Sequence, residues 1–236
     1  GGFADYLAVP AGQVLRIPDA NLSFEEAACF PVALRTMHNA IVTVGALRAG
    51  ETVLIQGASS GVGILGMQIA REMGAAKVIG SSTNAARRAR LTEFGADLAI
   101  DTADPDWVQT VLDATGGRGV DLIVDQVSGG LVTPNMRAAR ILGRIVNVGR
   151  LGGQRTEFDA DLHALRRISY IGVTFRTRSP AEVAEITRAL LADLTPALDA
   201  GRFSMPIDSV FPLEGFAEAL ARMKANEHFG KIVLRR

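Results

Sequence analysis

At 236 residues, 48% hydrophobic and 21% charged, the chain has the composition of a folded globular protein rather than a disordered one. Lysine plus arginine and aspartate plus glutamate balance at 25 each, so no net charge draws it to nucleic acid or to an anionic membrane. The single cysteine, Cys29, excludes an internal disulfide and fits a reducing, cytoplasmic setting, and no apolar run reaches the ~20 residues of a membrane span.

The chain opens Gly1-Gly2-Phe3 without Met and without a secretory signal pattern, which reads as the remainder of a longer protein. Phe3 to Pro10 alternates like a strand that stops at proline, and Val14 to Pro18 reads as a second short strand. Ser23 is placed to cap a helix, with Glu26 at the capping-box position, and apolar residues run on through Ile41 to Gly45.

From Glu51 the rhythm changes. Val53-Leu54-Ile55 suits a strand buried on both faces, and a glycine-rich turn and an amphipathic helix over Ile64 to Met73 follow it. Strands are then expected at Lys77 to Gly80, Asp97 to Asp101, Asp121 to Asp125, Gly143 to Gly149 and Ser169 to Phe175. Helices are expected at Ala85 to Phe94, Trp107 to Thr115, Leu131 to Ile141 and Pro180 to Ala200. Strands alternating with helices imply an α/β, doubly wound parallel Rossmann sheet with right-handed crossovers. The tail differs, with strands at Ile207 to Val210 and Lys231 to Leu234 around a helix at Leu213 to Ala225.

The chemistry-bearing segment is Gly57-Ala58-Ser59-Ser60-Gly61-Val62-Gly63, which follows a strand and opens a helix. Glycines there let the backbone approach a pyrophosphate, and unpaired N–H groups at the helix start bind its charge. The expected contacts are Ser59, Ser60, Gly61, Val62 and Gly63. An NAD-binding chain places Asp or Glu about 20 residues on, against the ribose 2′-hydroxyl. Here the second strand ends Gly80-Ser81-Ser82-Thr83-Asn84 with no acid, and Arg87 and Arg88 follow. Hydroxyls from Ser81 and Ser82 with a guanidinium suit a 2′-phosphate, so NADPH is the expected cofactor.

This loop resembles that of two families. Short-chain dehydrogenases pair it with a Tyr-x-x-x-Lys acid. Here Tyr6 is followed four later by Pro10 and Tyr170 by Thr174, so that reading fails. The whole chain instead resembles the medium-chain dehydrogenase/reductase superfamily, in its zinc-free quinone oxidoreductase (zeta-crystallin-like) branch. The residues that carry this are Gly2-Phe3-Ala4-Asp5-Tyr6, Ala27-Ala28 with Pro31-Val32, Leu47 to Ile55, Gly116 to Asp121, Ile171 to Thr174 and Phe229 to Leu234. The resemblance implies three parts: a remnant of a GroES-like catalytic domain with its connecting helix over 1–46, a Rossmann domain over 47–200, and a return to the catalytic domain over 201–236. It implies that Thr36, Val173 and Phe175 lie near the nicotinamide, that Asn147, Val148 and Gly149 lie beside its ribose, that Arg87 meets the 2′-phosphate, and that Lys231 approaches the cofactor. Ser60 departs from the family, which often has glycine there.

The activity so implied is hydride transfer from NADPH to a quinone or an α,β-unsaturated carbonyl, by a homodimer joined through the Rossmann edge strand, with small molecules as its other partners. No catalytic acid is named, and no metal is expected. A zinc-dependent alcohol dehydrogenase with its ligands in a preceding segment is the rival enzyme, and an NADPH-binding protein without turnover is the rival of another class. His38, His163 and His228 are scattered and read as surface or helix residues rather than ligands, and Cys29 as a small buried residue. Asp121 and Asp125 read as strand ends, and Arg166-Arg167 as a solvated patch.

Overall fold

The fold, a computed structural model, describes residues 2–18, 20 and 22–236. A short 3-10 turn, Ala11–Gln13, precedes α1 (Phe24–Cys29) and α2 (Pro31–His38), and a π-helical turn spans Asn39–Thr43. The strands and helices that follow alternate: β1 (Thr52–Gln56), α3 (Gly61–Glu72), β2 (Lys77–Ser81), α4 (Ala85–Ala89), β3 (Leu98–Ile100), α5 (Trp107–Ala114), β4 (Val120–Asp125), α6 (Val132–Ala138), β5 (Ala139–Asn147), α7 (Ala160–Arg166), β6 (Ser169–Gly172) and α8 (Pro180–Asp199). The chain closes with β7 (Ile207–Pro212), α9 (Phe216–Lys224) and β8 (Lys231–Arg235).

The first six strands form one parallel sheet in the order β3-β2-β1-β4-β5-β6, and β7 and β8 pair separately, also in parallel. This is the doubly wound Rossmann order, which reverses direction between β1 and β4. The register places Ile55 beside Gly80 on one side and Val124 on the other, so the ends of β1, β2 and β4 lie level.

Two cores explain why the central strands read as continuous apolar runs. Val53, Ile55, Val78, Leu122 and Val124 face the layer built on α2, α3 and α8, whereas Leu54, Ile79, Ile123 and Ile145 face the layer of α5 and α6. Alternate residues go to opposite faces and both faces are covered, so every residue of β1 is buried. Residues from all three expected segments, among them Phe30, Leu65 and Phe229, share the first core.

Several boundaries depart from the sequence reading. Phe3 to Pro10 and Val14 to Pro18 form no strand. An extended segment becomes a strand only beside a ladder partner, and none lies next to them among the described residues; Tyr6 is 94% exposed. The Ser23 cap forms as expected, with Ser23 N–H donating to Glu26 Oε2 at 2.8 Å and Glu26 N–H to Ser23 Oγ at 3.2 Å. The helix it opens stops at Cys29, because Pro31 has no N–H and starts the next one. The helix expected to run to Phe94 is α4 followed by a 3-10 turn, Leu91–Phe94. That expected to reach Ile141 ends at Ala138, and Ala139 already pairs with Val120. Strand β6 ends at Gly172 rather than Phe175. Helix α7 was hidden by its polar, glycine-flanked surroundings, although Asp159 caps it through Leu162 N–H at 2.9 Å.

Candidate functional site

The site begins where β1 leaves the sheet. Gly57 takes φ +71°, a left-handed backbone that favours glycine, and turns the chain toward α3. Ser60 is the N-cap of α3, and its hydroxyl oxygen accepts from Gly63 N–H at 3.0 Å. Its hydrogen lies in reach of both the Gly57 carbonyl at 2.9 Å and Gln126 Oε1 at 3.1 Å. The amides of Gly61 and Val62 at the helix start keep no acceptor among the described residues. They lie at the positive end of a twelve-residue helix, where an anion is favoured, with Gly61 buried beside the Gly230 carbonyl.

The two glycines do different work. A Cβ on Gly61 would stand 2.8 and 2.9 Å from the Lys231 stem and 3.0 Å from the Gly230 carbonyl. A Cβ on Gly63 would stand 2.6 Å from the Gly57 carbonyl and 2.7 Å from Ala58. Gly61 therefore keeps the segment before β8 close to the helix start, while Gly63 lets the loop close on itself. The loop thus pairs a close backbone turn with a helix start, with the Lys231 stem packed against Gly61.

A buried polar chain fixes the turn from beneath. Gly57 N–H donates to Ser81 Oγ at 3.0 Å, and the Ser81 hydroxyl donates to Gln56 Oε1 at 2.6 Å. Gln56 Nε2 donates to Asn135 Oδ1 at 2.7 Å, and Asn135 Nδ2 to Asp125 Oδ2 at 3.0 Å. Asp125 Oδ1 accepts from Val127 and Ser128 N–H, each at 2.8 Å. Burial pushes the Asp125 carboxyl above its ordinary value, while these donors oppose the shift. None of Gln56, Asn135 and Asp125 was singled out as a site residue; a polar group at the end of an apolar strand is the signal that marks Gln56 and Asp125, whereas Asn135 lies within α6.

Ser81 is thereby spent, being 1% exposed and bonded on both sides. Ser82 lies closer to the surface, its hydroxyl 3.0 Å from that of Ser59. The two arginines separate as well. Arg88 is held by the Ser82 carbonyl and by Asp101 Oδ2, both at 2.8 Å. Arg87 instead reaches across to the segment between α9 and β8, donating to Asn226 Oδ1 at 3.0 Å and to the Asn226 carbonyl.

On the other half of the sheet, Asn147 ends β5 and its carbonyl accepts from Val173 N–H at 3.0 Å. Val148 and Gly149 donate their amides to the Asp125 carbonyl at 2.7 and 3.2 Å, and a Cβ on Gly149 would meet the Gln126 carbonyl at 2.4 Å. Asn147, Val148, Gly149 and Val173 thus gather at one sheet end. Phe175 lies past β6 with the Arg178 guanidinium 5.8 Å from its ring centre, and Thr36 sits half-buried on α2. Lys231, the first residue of β8, lies against Gly61, and burial pushes its ammonium below the ordinary lysine value. Cys29 is buried, donates to the Glu25 carbonyl at 3.1 Å and is pushed up by burial. Among the described residues no group of three or more His, Cys, Asp or Glu side chains stands close enough to hold a metal ion. No helix among them is long and apolar enough to cross a membrane.

Sheet order, phosphate loop and close glycines are those of a Rossmann fold of the dinucleotide-binding type. The chain belongs to the zinc-binding dehydrogenase family, which matches residues 61–192, within the medium-chain dehydrogenase/reductase superfamily. It is similar to a reducing polyketide synthase of Floropilus chiversii, 30% identical over 93% of this chain and 9% of that protein. It is similar to the quinone oxidoreductase of Homo sapiens, 27% identical over 93% of this chain and 64% of that one. A solved NAD-dependent alcohol dehydrogenase superposes with a TM-score of 0.83 at 29% identity, covering 100% of this chain and 65% of its own. The chain therefore spans a small part of the polyketide synthase and less than two thirds of the other two.

Proposed function

We propose that the chain is the cofactor-binding part of an NADPH-dependent oxidoreductase that reduces a quinone or an α,β-unsaturated carbonyl. The observation that carries the cofactor choice lies at the end of β2. No carboxylate stands on Gly80 to Asn84, and among the described residues the Arg87 guanidinium is held at that end by the exposed amide and the carbonyl of Asn226. A phosphate can replace those neutral acceptors with charge-assisted bonds. The relatives named as quinone oxidoreductase and reducing polyketide synthase support the acceptor class.

Bound nicotinamide supplies the hydride. The chain's residues bind and orient it. Gly61 and Val62 amides take the diphosphate, Ser82 and Arg87 the 2′-phosphate, and Asn147, Gly149 and Val173 the nicotinamide end, with Lys231 close to the helix start. Quenching or enhancement of nicotinamide fluorescence on titration should show NADPH bound at least about tenfold more tightly than NADH. In the enzyme that contains this chain, NADPH should be consumed with quinones or enones. Alcohol oxidation with NAD and stoichiometric zinc would overturn the reading.

The proposed assembly is a homodimer through β6, in a cytoplasmic setting. Strand β6 is the last of the sheet, with β5 on one side only. Val173 N–H already points inward to Asn147, so by alternation the amides of Tyr170 and Gly172 point outward, where a second copy pairs. Gly172 has no atom near the position of an added Cβ. Gly172→Pro removes an outward donor and should shift the sedimenting mass from dimer to monomer while the cofactor still binds. A wild-type monomer would contradict the assembly.

A further inference from the structure

Two arginines of α4 share one cleft. Arg90 is the C-cap of that helix and keeps right-handed helical backbone, so it stands on the same side as Arg87, three residues before it. Both line a surface cleft of about 440 Å³. Arg88 is turned to Asp101 and does not line it. Asn84, three residues past β2 and the N-cap of α4, contributes to the cleft, as do Asn226, Glu227 and Phe229 from the segment before β8. The cleft thus opens at the strand end where a Rossmann fold tells a ribose 2′-hydroxyl from a 2′-phosphate. Its volume falls in the range of small-ligand pockets, about 300–1,000 Å³.

The two guanidiniums are held in different ways. Arg87 donates to Asn226 Oδ1 at 3.0 Å and to the Asn226 carbonyl. The Arg90 guanidinium carbon lies 4.3 Å from the centre of the buried Phe229 ring and 6.0 Å from that of Phe94. A ring under a guanidinium steadies it without consuming its N–H groups. Of those groups, Nε and Nη2 reach Glu93 at 3.2 and 3.1 Å, and Nη1 keeps no acceptor among the described residues. The Glu93 pair is exposed on both sides and so is weak in water, whereas a phosphate offers two charges and three acceptor oxygens. The acid that lines the cleft, Glu227, lies 3.8 Å from Arg222. Arg90 is therefore a steadied cation with donors to spare, beside Arg87.

We propose that Arg90 is a specificity-determining residue for NADPH, gripping the 2′-phosphate from the far end of α4 while Arg87 grips it from the near end. The inference rests on the NADPH reading, which Arg87 carries, and adds to it a second arginine. The phosphate takes the Arg90 donors from Glu93 and leaves the contact with Phe229 in place. That contact also explains why the residue is arginine. A lysine ammonium has no plane to lay on the ring and no paired donors to turn to the phosphate.

Parallel titrations with NADPH and NADH, and with the fragments 2′-AMP and 5′-AMP, separate the phosphate from the rest of the cofactor. Arg90→Gln should weaken NADPH and 2′-AMP by about five- to tenfold and leave NADH and 5′-AMP within about twofold. The Arg90 Nε–H resonance of the unmodified chain should shift with 2′-AMP and stay in place with 5′-AMP, which needs no variant. Undiminished NADPH preference in Arg90→Gln overturns the proposal while the NADPH reading stands. Equal loss for both cofactors also overturns it, because the side chain would then only seat Phe229 and the segment before β8. Equal affinity of wild type for the two cofactors overturns both.

Discussion

Gly61→Val will cut NADPH affinity at least about a hundredfold and leave the far-ultraviolet circular dichroism of the wild type. The reason is where the added atoms go. A Cβ at position 61 lies 2.8 Å from Lys231 Cε and 3.0 Å from the Gly230 carbonyl. The lysine stem can swing aside, but the carbonyl belongs to backbone tied to Ser60 and cannot. Valine adds two methyl groups beyond that Cβ, at the mouth where Gly61 and Val62 present their amides. The helix itself is unaffected, because position 61 is its first residue. Gly63→Val is a poorer test, since a Cβ there strikes the loop's own backbone at 2.6 Å and would disturb folding as well as binding. Retained affinity in a folded Gly61→Val chain would mean that the loop holds no nucleotide.

Arg87→Glu will lower NADPH affinity by about ten- to a hundredfold and leave NADH nearly unchanged, as read by parallel fluorescence titrations. A charge-assisted bond to phosphate is worth roughly 1.5–3 kcal/mol, and charge reversal adds repulsion. Arg88→Glu will act differently. That side chain is committed to Asp101 and to the Ser82 carbonyl, so its loss disturbs the end of β2 and weakens both cofactors together. Equal loss for both cofactors in Arg87→Glu would refute its assignment. The contrast between two adjacent arginines is a consequence of α4, which directs neighbouring residues some 100° apart.

The sheet was legible in the sequence because each strand is a short apolar run between turn residues, and the phosphate loop because strand, glycines and helix come in one order. Less legible was everything that depends on a partner distant in the chain. Phe3 to Pro10 has a strand's alternation and no ladder beside it. Ser81 looks like a free hydroxyl until Gln56 and Gly57, 25 and 24 residues away, are seen to use it. Arg87 and Arg88 are indistinguishable as letters and are separated only by Asn226 and Asp101. His228, a lone histidine in a polar stretch, reads as surface. Its buried Nδ1 is a property of the packed fold, and no local pattern reports it.

The chain of Ser81, Gln56, Asn135 and Asp125 also bears on how such a domain can drift. Each member is satisfied by the next, across β1, β2, β4 and α6. An apolar residue at Ser81, Gln56 or Asn135 strands a donor and an acceptor in a sealed interior, and one at Asp125 strands the donors of Asn135, Val127 and Ser128, whereas joint replacement leaves unpaired only the backbone donors of Gly57, Val127 and Ser128. Evolution here faces a valley between two acceptable states. Substitutions at these four sites should therefore arrive in concert among descendants of this sequence, and random libraries should find its one-step neighbours depleted and its joint replacements alive.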